Sequence, residues 1–170
     1  EIIMTDIKSM NMEELKELMV QIGEKPFRAK QIYGWLHEHL VTSYDEMANI
    51  PKSLKEKLKD YPITALEELD VQTSKVDGTR KYLFRLSDGN MIESVLMKYK
   101  HGNSVCISSQ AGCRMGCRFC ASTIGGLTRN LLPSEMLDQI YRIQTSLGER
   151  ISNVVVIGTG EPMDNYDNLL

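Results

Sequence analysis

Residues 105–157 read as a strand, a loop, a helix and a second strand. Val105 to Ser109 is a short apolar run, a Gly- and Cys-rich loop follows, a helical pattern runs from Pro133 to about Leu147, and Val154-Val155-Val156-Ile157 closes the unit. A strand that returns through a helix to a further strand builds a parallel sheet, so this stretch commits the region to an α/β fold. The segment Gly158-Thr159-Gly160-Glu161-Pro162 then falls at a carboxyl strand end, where α/β sheets and barrels place ligands. The loop after the first strand holds three of the four cysteines within eight residues: Cys113, Cys117 and Cys120.

The pattern upstream is different. Asn11 can cap a helix in which Met12, Leu15, Leu18, Met19 and Ile22 recur at spacings of three and four, with Gly23 placed to end it. A second helix is predicted from Phe27 to about His39, with Ile32, Trp35 and Leu36 on one face. A third starts near Pro51, read as a first-turn proline, and carries Leu54 and Leu58. After Pro62 the runs become strand-like and are punctuated by Asp77-Gly78 and Asp88-Gly89, both hairpin signals, which suggests a three-stranded meander over 64–97. The expected organisation is a helical domain over 1–60, a meander over 61–103 and the start of an α/β domain over 104–170.

Composition excludes several classes. With 170 residues, 42% of them hydrophobic and 25% charged, a disordered tail, a collagen-like fibre or a disulfide-stapled miniprotein does not fit. No apolar run reaches the roughly 20 residues of a membrane helix, and no signal-peptide pattern is present, so no membrane partner and a cytoplasmic location are expected. The chain begins at Glu1 without Met and stops at Leu170 inside what reads as a helix start, which suggests a longer protein. A net charge of −3 argues against a dedicated nucleic-acid binder, yet residues 71–130 hold nine basic side chains against three acidic ones. That excess suits either a solvated sheet face or a surface for phosphates or an anionic cofactor.

Cysteines packed this closely do not form a disulfide framework, and reducing compartments keep such thiols for metal or redox work. Structural zinc wants four ligands, and the nearest further candidates, Cys106 and His101, lie off the loop at unusual spacing. Three thiolates on one loop instead fit three corners of a 4Fe-4S cluster, leaving one iron open to a small chelating molecule. The plainer alternative is a structural metal clip.

CxxxCxxC with Phe119 before its last cysteine resembles the signature of the radical S-adenosylmethionine (SAM) superfamily. More narrowly, Cys106-Ile-Ser-Ser-Gln-Ala-Gly-Cys113, the Gly-Gly-Leu-Thr-Arg129-Asn-Leu segment, Gly158-Thr-Gly-Glu-Pro162 and Phe27-Arg-Ala-Lys-Gln-Ile-Tyr-Gly-Trp-Leu are similar to the RlmN/Cfr family of RNA methyltransferases. The resemblance implies that the helical domain is an accessory to the opening of a partial (β/α)6 barrel, of which residues 104–170 supply about two strands. It implies a 4Fe-4S cluster on Cys113, Cys117 and Cys120, SAM contacts from Gly160 and Glu161, and one-electron cleavage of SAM to a 5′-deoxyadenosyl radical.

In that family a cysteine near the C-terminus is first methylated, the radical takes hydrogen from this methyl group, and the carbon radical adds to C2 of an adenine. The resemblance assigns Cys106 to resolve the resulting protein-RNA adduct through a transient disulfide, and Glu93 to accept a proton. A buried Cys106 acting as a small hydrophobe, a solvated Glu93 and a ligand-free turn at Gly160-Glu161 are the bland alternatives. The three histidines carry no motif and read as surface residues.

The implied substrates are 23S rRNA and tRNA, the implied electron donor a flavodoxin or ferredoxin, and the full-length protein is expected to be a monomer. Basic residues from Lys75 to Lys100, with Arg114, Arg118 and Arg129, are expected to meet RNA phosphates, while the target base is unstacked into a pocket. The rivals are a Cfr-like enzyme acting on adenosine C8 and a non-catalytic, metal-bearing RNA-binding module. No cysteine follows Cys120, so this chain by itself is expected to be inactive, with exposed strand edges that favour aggregation.

Overall fold

The computed structural model of the protein describes residues 6–170. The chain divides between Thr64 and Ala65 into two compact units.

In the first unit, helix α1 (Met12–Gln21) begins where the cap residue predicts. The Asn11 side chain accepts from the amides of Glu13 and Glu14 at 3.0 Å, and the Glu14 carboxylate accepts from the Asn11 amide at 2.8 Å. This reciprocal box satisfies donors that the first helical turn leaves unpaired. At the other end Gly23, at φ +73°, lets its own amide reach Val20 and the Glu24 amide reach Met19, closing the last carbonyls. Helix α2 (Phe27–His37) buries Ala29, Ile32 and Leu36, whereas Trp35 is only partly buried and its indole donates to Asn49 Oδ1 at 2.6 Å. Helix α3 (Lys52–Lys57) buries Leu54, and Pro51 stands at its cap position, one residue before the first turn.

Among the described residues, twelve buried apolar side chains of this unit form one cluster. The unit's ends are tied together by polar contacts. Lys8 Nζ donates to the Thr64 carbonyl at 2.6 Å, and Asp6 Oδ1 accepts from the amides of Lys8 and Thr64. That tie carries the unit four residues past the expected boundary at 60.

The second unit is a five-stranded sheet in the order β1-β2-β3-β4-β7, with strands β1 (Glu67–Thr73), β2 (Arg80–Arg85), β3 (Met91–Tyr99), β4 (Gly102–Cys106) and β7 (Ile151–Val155). The first four pair antiparallel, β1 to β3 through the two predicted Asp-Gly turns and β3 to β4 through Lys100-His101, and β4 pairs parallel with β7. Helix α4 (Pro133–Leu147) joins the parallel pair, with Pro133 in its first turn. The α/β class and the strand-helix-strand unit expected of a barrel's opening are thus present. Because β3 pairs with β4, the sheet runs unbroken across residue 103. Met136 and Ile143 of α4 pack against Phe84, Ile92, Leu96 and Val105.

Three features not evident in the sequence have local causes. In β3 the core-facing residues are Ile92, Ser94 and Leu96, a clean alternation that a buried serine conceals. The Ser94 hydroxyl donates to Gln139 Oε1 of α4 at 2.7 Å, which makes its burial tolerable. The strands of the parallel pair are offset from the apolar runs, since β4 ends at Cys106 and β7 begins at Ile151. Finally, β5 (Gln110–Gly112) and β6 (Leu127–Asn130) form a separate antiparallel pair within what reads as loop. Their short polar and glycine sequences carry no alternation that would mark a strand. Among the described residues no helix is long and apolar enough to cross a membrane.

Candidate functional site

The β5-β6 pair is the base of the cysteine loop. The Cys113 amide donates to the Gly126 carbonyl at 3.0 Å and closes the neck. Gly112 is required there: at φ +78°, a Cβ would lie 2.0 Å from the Gly126 carbonyl oxygen. Inside the loop the Cys120 amide donates to the Cys117 carbonyl at 3.1 Å, and a 3-10 turn over Ala121–Thr123 follows, with the Thr123 hydroxyl on the Cys120 carbonyl at 2.9 Å. All three thiols are free. Cys113 is buried, Cys117 exposed and Cys120 intermediate. In kind and number the donors suit three corners of an iron-sulfur cluster. Among the described residues, however, no three Cys, His, Asp or Glu side chains converge as metal ligands.

The second loop follows β7. Beyond the last paired residues the Ile107 amide donates to the Val155 carbonyl, and the Gly158 amide to the Ile107 carbonyl, both at 2.9 Å. The amides of Ser109 and Gln110 then both donate to the Thr159 carbonyl, and the Thr159 amide returns to Ser108 Oγ at 2.9 Å. Residues 158–161 are therefore laced onto residues 107–110, which lead directly into the cysteine loop. Gly160, at φ +104°, has Gln110 so near that a Cβ would fall 2.5 Å from the Gln110 Cβ. Close packing of protein against protein thus accounts for this glycine.

Glu93 and Cys106 share the sheet face opposite α4. Cys106 sits directly across from Val95 on one side and Val155 on the other, and Glu93 is two residues from Val95 on the same face. Burial pushes the Cys106 thiol up in pKa, partly offset by the Ile157 amide. A thiol raised in this way stays protonated and unreactive at rest. The Glu93 carboxylate is half exposed and pairs with Lys81 Nζ at 3.0 Å, while its carbonyl accepts from the Ser108 hydroxyl at 2.6 Å.

The basic middle of the sequence is largely committed inside the protein. Lys81, Arg85, Lys98, Arg114 and Arg129 pair with Glu93, Glu67, Glu149, Asp164 and Asp88 respectively. Arg129 also forms a two-pronged pair with the buried Glu135, both contacts at 2.8 Å, and this pairing raises its pKa. Both Arg114 and Arg129 have carboxylate partners within the second unit; Arg129 is the more buried of the two, and the Arg114 side chain is 64% exposed. Arg129 beside Asp88 draws that carboxyl down to about 2.

Sequence reasoning missed the side chains that assemble this end of the sheet. Gln139 of α4 accepts from the Ser108 amide at 2.8 Å and donates to the Ser108 carbonyl at 2.9 Å. Asn165 donates to the carbonyls of Ser109 and Leu131. Gln110 and Asp164 link the two loops. The available signal was their position, polar residues beside apolar runs at the ends of a strand and inside a helix.

Residues 5–63 match the model of the ribosomal RNA large subunit methyltransferase N-terminal domain. The chain is 67% identical over 168 residues to a protein of Lachnospira eligens, and 64% identical over 166 residues to one of Lachnoclostridium phytofermentans. Both are named "Probable dual-specificity RNA methyltransferase RlmN". These alignments cover 98% and 97% of this chain but 48% and 47% of the relatives, so the chain spans about half the length of the curated relatives it matches. The crystal structure of a radical SAM methyltransferase from Sphaerobacter thermophilus superposes with a TM-score of 0.88 at 38% identity, covering 97% of this chain and 50% of that one.

Proposed function

The chain belongs to the RlmN family of radical SAM methyltransferases, and from that premise we propose that the whole protein methylates C2 of adenosine in 23S rRNA and in tRNA. The observation that carries this reading is the lacing of the Gly158–Glu161 loop onto residues 107–110, which brings it beside the base of the cysteine loop at one end of the parallel pair. Cys113, Cys117 and Cys120 would hold a 4Fe-4S cluster, and the Gly160-Glu161 backbone and carboxylate would hold SAM. Bound together, these groups would supply one-electron chemistry. An electron donor of the flavodoxin or ferredoxin class completes the requirement.

The chain's own residues do the rest. Cys106 resolves the protein-RNA adduct: its sulfur bonds to the sulfur of a methyl-carrying cysteine, the bond from that sulfur to the transferred carbon breaks, and the carbon takes up the proton Cys106 gives up; no cysteine of residues 1–170 follows Cys120 to fill that role. Burial keeps the Cys106 thiol protonated until that step. Glu93 accepts a proton, standing diagonally across from Cys106 at roughly 7–8 Å between Cα atoms by strand geometry.

Mass spectrometry of rRNA and tRNA from cells carrying the full-length gene, against cells lacking it, tests the assignment. Methyl groups at adenosine C2 are expected. Methylation confined to C8 would reassign the reaction, and no added methylation would remove it.

A further inference from the structure

Gln110 is fully buried, and its side chain reaches both loops of the candidate site. The amide oxygen accepts from the Glu161 amide at 2.8 Å. The amide nitrogen donates to Asn130 Oδ1 of β6 at 2.8 Å and to Asp164 Oδ2 at 3.0 Å. Asp164 also takes the guanidinium of Arg114, the residue that follows Cys113. Asn130 closes the circuit by donating to the Asp164 carbonyl at 3.3 Å. One side chain thus uses both of its N–H groups and its carbonyl on three residues of two segments, β6 and the stretch after β7, and no other residue type of this size offers both signs in one plane.

The geometry has a direct consequence for Glu161. Its amide direction is set by Gln110, its carboxylate accepts from the Met163 amide at 3.1 Å, and Gly160 just before it is pressed against Gln110 Cβ. Whatever Glu161 contacts, Gln110 decides where that contact lies relative to the cysteine loop.

We propose that Gln110, through Asp164 and Arg114, is a positioning residue that fixes the Gly160-Glu161 loop against the cysteine loop and thereby sets the affinity for SAM. The proposal rests on the reading that these two loops hold SAM and the cluster. A residue that serves packing alone would tolerate any replacement that fills the same volume. A positioning amide requires a donor toward Asp164 and an acceptor toward Glu161 at once.

The test uses the full-length protein, reconstituted anaerobically with iron and sulfide, reduced and titrated with SAM while the EPR spectrum of the cluster is followed. Gln110→Glu keeps the shape and the acceptor for the Glu161 amide but sets a second carboxylate against Asp164. Two such carboxylates favour sharing one proton as pH falls, and that proton restores a donor. The variant is expected to bind SAM at least roughly tenfold more weakly than the wild type at about pH 8, and to recover most of that loss at about pH 6, while the wild-type affinity changes little. Arg114→Gln, at a side chain 64% exposed, is not expected to threaten folding. It should weaken binding about threefold, with unchanged iron and sulfide content and no recovery at low pH.

Wild-type affinity for Gln110→Glu at both pH values would overturn the proposal, as would a loss equal at both. If Gln110→Glu does not fold, unchanged affinity in Arg114→Gln overturns it and the threefold loss supports it. A wild-type protein that forms no cluster or binds no SAM would overturn the site reading and the proposal together.

Discussion

The two units are held together by different physics. Among the described residues, the helical unit buries two charged side chains, Asp6 and Lys8, where its ends meet, and is otherwise aliphatic inside. The sheet unit buries ten polar or charged side chains, and Ser108, Ser109, Gln110, Glu135, Gln139 and Asn165 all sit at or beside the end of the sheet that carries the two loops. Apolar burial is non-directional and tolerates small shifts, whereas buried hydrogen bonds fail when geometry drifts. A unit built to hold two loops in register uses the second kind of contact, and a unit that only needs to be compact uses the first.

That contrast can be broken by experiment. The largest effect is expected from Leu36→Ala, which empties volume in the helical core at a side chain with no exposure. A loss of about 3 kcal/mol is expected, read by urea titration of Trp35 fluorescence, because the only tryptophan reports on this unit alone. A loss below about 1 kcal/mol would mean that the helical core is loosely packed. Next comes Gln139→Leu, similar in size but unable to bond. It leaves the Ser94 hydroxyl and both backbone groups of Ser108 without their partner, so about 2 kcal/mol should be lost and exchange of the Ser108 amide should quicken. A stabilised variant would show that the polar network is not what holds the site end.

The smallest effect separates the units by pH. Burial, then Lys8, lowers the His37 pKa to about 4 against a weaker opposing pull from Asp6. The folded form therefore resists a proton that the unfolded chain accepts below about pH 6.5, so stability falls as pH drops from about 6.5 to about 4. Allowing for partial exposure, about 1 kcal/mol is expected from this group. In the sheet unit the Arg129 pair works in a lower window. Asp88, held at about 2, contributes above the ordinary carboxylate pKa and is lost only as pH falls toward 2. Acid titration of Trp35 fluorescence checks the first window. His37→Gln should flatten it, and an unchanged slope would discount His37.

Legibility in the sequence follows the same division. The helical unit was readable because Leu15, Leu18 and Met19, then Ile32 and Leu36, recur at helical spacing and are what the core buries. The departures include Pro51, one position outside the first turn, the partly exposed Trp35, and the end of the unit at Thr64. His37, read as a surface residue, is only partly exposed in the same unit. In the sheet unit the Asp-Gly turns and the parallel pair were legible for the same reason, as local signals. The β5-β6 pair was not, because Gln110-Ala111-Gly112 is shaped by what it touches, and a glycine forced by one backbone oxygen leaves no pattern along the chain. The cysteine loop was recognisable by spacing, but the ion pairs of Arg114 and Arg129 depend on Asp164, Asp88 and Glu135, which lie 50, 41 and 6 residues away. Charge counted along a sequence cannot reveal which charges meet in the fold.

The central claim is that Cys113, Cys117 and Cys120 together hold an open 4Fe-4S cluster. Iron and sulfide analysis with EPR spectroscopy on the anaerobically reconstituted full-length protein tests it most directly, comparing the wild type with Cys117→Ala. The account predicts a 4Fe-4S signal in the wild type that shifts when SAM is added and is lost in Cys117→Ala. A colourless wild-type protein that retains one tightly bound zinc and forms no cluster would contradict it.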